Sequence, residues 1–149
     1  MKIRLRNEIQ IDNQVEVVDQ VYPVEVMQKK GQVYLIFSNE EEEKTVIKCD
    51  DKELVMTRFS TPKSIMRFLP EKEAIVTLHT PLGIQQFATA TDHYQLKAKE
   101  GKIELHYALK QLEGDGIFAT YRMGIGWSWV WDVKRFQQTL SLKNLLNLL

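Results

Sequence analysis

The chain has 149 residues, 20 basic and 20 acidic side chains, and a formal net charge of zero. That length suits one domain with a core of its own, and the charge balance argues against a dedicated DNA-binding module, which usually carries a basic excess. A lone cysteine, Cys49, excludes an intramolecular disulfide framework and fits a reducing compartment.

The N-terminus has no apolar core of the signal-peptide kind, and no apolar run approaches the length of a membrane span. A cytoplasmic setting is the expectation. Lys2 to Ile11 alternates: Ile3, Leu5, Ile9 and Ile11 share one face, and Lys2, Arg4, Arg6, Glu8 and Gln10 the other. Asn7 falls on the apolar face as an inward polar group. Asp12-Asn13 turns the chain into Gln14 to Gln28. There, Val17-Val18 breaks the alternation and suggests a bulge, and Pro23 suggests an edge or bulge position. Gln32 to Ser38 is an apolar strand, followed by an acidic loop from Asn39 to Glu43.

Lys44–Cys49, Glu53–Phe59, Ser64–Leu69 and Ala74–Thr80 follow at short intervals, separated by turn residues. A long polar strand then runs from Pro81-Leu82-Gly83 to about Leu96. Lys102–Gln111 and Ile117–Trp127 complete the series. Some eight to ten strands with tight connections predict an all-β antiparallel meander closing into a barrel over residues 1–127.

Residues 128–149 read differently. Asp132 can cap a helix. Val133, Phe136, Leu140, Leu142, Leu145, Leu146 and Leu149 recur at helical intervals, predicting a C-terminal amphipathic helix. It would lie on the barrel, act as a lid, or join two copies into a homodimer; an extension without fixed structure is the remaining reading. Trp127, Trp129 and Trp131 would anchor the junction.

Two arginines, Arg58 and Arg67, carry the functional question. A four-residue loop from Ser60 to Lys63 would pair Phe59 with Ser64 and set Arg58, Arg67, Met56 and Leu69 on one face. That face is the more apolar, so both guanidinium groups are expected inward. A guanidinium cannot shed its charge, and burying it is costly without an anionic partner. A five-residue loop from Leu112 to Gly116 places Leu109 opposite Ala119, Tyr107 opposite Tyr121, and Leu105 opposite Met123. The candidate ligand site is therefore Arg58, Arg67, Tyr107, Tyr121 and Asn7, able to hold a small amphipathic anion, since the guanidinium fork matches carboxylate or phosphate oxygens. Alternatively the arginines pair with internal carboxylates such as Asp19, or sit in water at the barrel mouth. The competing function is a non-catalytic interaction scaffold that self-associates through its C-terminal helix.

His79, His93 and His106 show no metal-ligand spacing, and no nucleophile elbow, phosphate loop or dinucleotide fingerprint is present. No catalytic residue, cofactor, metal or nucleic-acid partner is expected.

The motifs KIRLRN, YLIF with its acidic loop and KTVIK, LVMTRF with SIMRF, and TPLGIQ resemble, in order and spacing, the YwiB-like proteins of Gram-positive bacteria. The resemblance covers about Met1 to Trp127. It implies a lipocalin-like, calycin-type barrel in a bacterial cytoplasm, with no assigned activity. By fold analogy with intracellular lipid-binding barrels, Arg58, Arg67 and one of Tyr107 or Tyr121 would match a carboxylate anchor. Those barrels insert a helical lid between the first two strands, where this chain has only Asp12-Asn13.

Overall fold

The computed structural model describes residues 1–114 and 116–129. The expected C-terminal helix lies outside them, as does the rest of the expected 128–149 extension apart from Ser128 and Trp129. Ten strands follow in chain order: β1 (Lys2–Ile11), β2 (Gln14–Lys29), β3 (Gln32–Ser38), β4 (Lys44–Cys49), β5 (Leu54–Phe59), β6 (Ser64–Phe68), β7 (Glu73–Thr80), β8 (Gly83–Lys97), β9 (Lys102–Gln111) and β10 (Ile117–Ser128). A single 3-10 turn, Ala98–Glu100, joins β8 to β9.

All the ladders are antiparallel, in the order β6-β5-β4-β3-β2-β1-β10-β9-β8-β7. The first and last strands therefore meet in the middle of the sheet, and β6 and β7 are its edges. The result is a nearly closed barrel. At the β6–β7 seam a side chain replaces the ladder: Thr89 Oγ1 donates to the Arg67 carbonyl at 2.7 Å and lies 3.4 Å from the Ala74 carbonyl. The Glu71 amide adds a bond to the Thr91 carbonyl at 3.0 Å.

Strand alternation supplies the core, because successive side chains point to opposite faces. Ile3 and Ile9 of β1, Leu35 of β3, Ile47 and Cys49 of β4, and Leu105 of β9 are all buried in one cluster. The bulge expected at Val17-Val18 does not occur; β2 runs in unbroken register from Ile11–Gln14 to Lys2–Pro23. Val17 is simply exposed on the outer face. Pro23 stands where β2 leaves β1 and begins to pair with β3 at Val24. Gly101 closes the far end of the barrel at φ +69°, where an added Cβ would stand 2.7 Å from the Trp127 carbonyl oxygen. Trp127 is buried and Trp129 exposed.

Because neighbours in the meander alternate direction, five connections fall at one end: those between β1 and β2 (residues 12–13), β3 and β4 (39–43), β5 and β6 (60–63), β7 and β8 (81–82), and β9 and β10. We call this end the mouth.

Candidate functional site

The β5–β6 hairpin decides which side chains reach the interior. Its register pairs Arg58 with Ser64 and Met56 with Met66, leaving five residues between the last pair rather than four. Phe59 still pairs with Lys44 on β4, but it has left the β6 ladder. The loop is closed by its own contacts. Ser60 Oγ donates to the Pro62 carbonyl at 2.9 Å, and the Lys63 ammonium sits 5.0 Å from the Phe59 ring centroid. The odd count turns β6 over. Met66 and Phe68 are buried, whereas Arg67 faces outward, exposed, with its Nε 3.7 Å from a Glu53 carboxylate oxygen. Arg58 and Arg67 thus lie on opposite faces, and the expected pair does not form.

Arg58 does face inward, near the mouth. Burial pushes its pKa down, and the charge of Glu43 opposes that shift. It lines a 240 Å³ pocket with Glu41, Glu43, Ser64, Leu78 and His79. Asp19 is not its partner. That carboxylate is on the outer face, where it accepts from Arg4 Nε at 3.0 Å and Nη2 at 2.7 Å, with Arg6 at 3.9 Å.

The β9–β10 register is the expected one, with Tyr107 opposite Tyr121 and Leu105 opposite Met123. Extending it across the sheet, Ile9, Tyr121, Tyr107 and Thr91 form one row over β1, β10, β9 and β8. Tyr107 and Tyr121 stack with centroids 4.5 Å apart, and Phe68 tilts onto Tyr107 at the same distance. Burial pushes the Tyr121 phenol up to about 12. It raises Tyr107 as well, to which Tyr121 adds, while Arg58 acts in the opposite sense. Tyr22, on β2, stacks on Phe37 at 5.7 Å and also has its pKa raised, by burial first, while Arg58 lowers it.

Asn7 is inward as expected, 2% exposed, one row from Tyr121 and opposite Met123 and Val18. Among the described residues no protein group bonds its Oδ1 or Nδ2, nor the Tyr107 hydroxyl, Thr91 Oγ1 or Glu16 Oε2. Native interiors leave few polar atoms unpaired, so such a group marks water, ligand or strain. Of the predicted site residues, Arg58, Tyr107, Tyr121 and Asn7 belong to inward-facing strand positions, but the Arg58 pocket is lined by none of the other three. The sequence reading missed Tyr22, Glu16 and Thr91 on the inner rows and Glu43 beside Arg58. The register of the Asp12-Asn13 hairpin could have revealed the β2 pair, since Asn7 opposite Val18 sets Ile9 opposite Glu16 and Ile3 opposite Tyr22.

Burial raises Cys49 to about 12, far from the thiolate range. The His93 and His106 rings lie tilted with centroids 4.8 Å apart, with His93 Nε2 3.1 Å from a Glu104 oxygen. Among the described residues, no group of three or more His, Cys, Asp or Glu could hold a metal.

A family model described as Domain of unknown function (DUF1934) matches residues 3–125. The chain belongs to that family. Among solved structures it is similar to the ywiB protein from Bacillus subtilis, with 20% identity over 86% of this chain and 91% of that one, at a TM-score of 0.67. At that identity the likeness establishes the barrel fold. The resemblance read from the strand motifs is borne out. No match was found among curated proteins. Among the described residues, no helix of this family member is long and apolar enough to cross a membrane.

Proposed function

We propose that this barrel binds one small amphipathic anion, with Arg58 as the anchor of its head group. The ligand enters at the mouth, and its apolar part lies against the Phe68, Tyr107 and Tyr121 rings. Asn7 and the Tyr107 hydroxyl are the polar groups it meets inside. The observation that carries this reading is the inward Arg58 lining a pocket near the mouth, with its charge reaching the Tyr107 phenol, whose hydroxyl has no protein partner among the described residues. A carboxylate head group would match the guanidinium fork through two parallel hydrogen bonds. Arg67 has no part in the site. The calycin-like analogy is consistent with this arrangement.

Native mass spectrometry of freshly purified protein tests it. Wild type should carry an organic adduct that Arg58→Met loses, while circular dichroism shows both folded. An apo mass for both proteins counts against the reading.

A further inference from the structure

The large exposed apolar side chains are not spread evenly. Val15, Phe59, Leu82, Ile84, Leu112 and Ile117 are all exposed and lie within or beside the five mouth turns. Toward the opposite end, Met27, Ile75 and Trp129 are the comparable ones among the described residues. Within or beside the same turns, Asp12, Glu40, Glu41, Glu42, Glu43 and Glu113 stand against Lys44, Lys63 and Lys110 at the surface, an acidic excess among the described residues. Exposed apolar side chains concentrated at one end of a protein mark an interaction surface, and an acidic excess there favours a cationic partner. An anionic lipid surface would be repelled by these carboxylates. A second copy meeting mouth to mouth would face the same repulsion.

We infer that the mouth rim is a docking surface for a cationic amphipathic polypeptide segment of a partner protein. Leucine-like side chains at helical spacing would pack over Leu82, Ile84 and Ile117, and lysine or arginine between them would face Glu40, Glu42 and Glu113. The inference is independent of the interior site, since Leu82, Ile117, Glu40 and Glu42 do not line the Arg58 pocket.

The test uses the full chain and a synthetic peptide of leucine and lysine at helical spacing, followed by fluorescence anisotropy. The expected result is saturable binding that weakens as salt rises. It should fall tenfold or more in both Leu82→Ser/Ile117→Ser and Glu40→Gln/Glu42→Gln. A matched peptide with glutamate for lysine should bind at least tenfold more weakly. Absence of binding, equal binding of the two peptides, or binding unchanged in either variant overturns the inference. So does binding of phosphatidylcholine–phosphatidylglycerol vesicles that depends on Leu82 and Ile117 when the cationic peptide does not bind.

Discussion

Replacing Asn7 with leucine tests whether the interior polar atoms are a stability cost that the barrel retains. Asn7 is 2% exposed, and neither end of its amide has a protein partner among the described residues. A buried polar group left unpaired costs about 1–3 kcal/mol. A leucine buried there adds about 1.5–3 kcal/mol of apolar transfer. Crowding against Val18 and Met123, its neighbours in register, takes back about 1–3 kcal/mol. The net expectation is a variant more stable by about 2 kcal/mol. With a urea slope of roughly 1–3 kcal/mol/M, the midpoint should rise by about 1 M. Asn7→Val removes the same amide with less crowding and separates polarity from packing. If both variants are less stable than wild type, the amide is satisfied in the native protein and the reasoning fails. If only the leucine variant is, packing decides. In either variant the adduct seen by mass spectrometry should weaken, because Asn7 belongs to the proposed binding wall.

Thr89→Val removes the seam hydroxyl at constant shape, leaving the Arg67 carbonyl without that bond. It should cost about 1–2 kcal/mol and speed amide exchange in β6 and β7 by roughly tenfold. Arg67→Met should shift stability by no more than about 0.5 kcal/mol and leave any adduct unchanged, since its pairing with Glu53 is exposed; loss of the adduct would return Arg67 to the site. Stability should fall in alkali. Burial holds the Tyr121 proton to about 12, against 10.0 for a free phenol, and raises Tyr22, Tyr94 and Tyr107 in the same direction. The folded state therefore keeps protons that the unfolded chain releases, so this contribution is complete below pH 10 and is lost as pH climbs toward 12. Urea midpoints at pH 8 and pH 11 check the sign.

The fold was legible wherever apolar alternation and turn chemistry agreed. The β9–β10 hairpin is such a case, with Gly114 at φ +83° in its loop and its apolar residues on one face. The β5–β6 hairpin is the opposite case. Its parity depends on whether Phe59 belongs to strand or loop, and the hydrophobic pattern cannot show that. Phe59 and Ile65 are apolar yet exposed, and Phe59 is held by Lys63 within the loop rather than by the core. One residue of slip was enough to send Arg67 outward and bring Met66 and Phe68 in. In β2, the valine pair read as a bulge broke the count that runs from the Asp12-Asn13 turn to Tyr22, whereas the ladder is unbroken. Glu16 lies before that pair, and its position opposite Ile9 follows from the turn by simple counting.

One inward guanidinium, rather than two, also narrows the head group that the proposed site can accept. Two diagonal arginines would have matched a phosphate dianion. The pocket around Arg58 instead contains Glu41 and Glu43, and the Glu43 charge already favours ionised Arg58. A second negative charge on the ligand would meet those carboxylates with no further cation to balance it, and like-charge contact opposes binding. A carboxylate brings a single charge and two oxygens, enough to engage the guanidinium fork while leaving Glu43 hydrated at the mouth. A fatty or aromatic carboxylic acid is therefore a better candidate than a phosphoester. If Glu43→Gln strengthens carboxylate binding while phosphoester binding stays absent, it is the missing second cation that excludes the dianion. If Glu43→Gln admits phosphoesters equally, the acidic neighbour is the selective element.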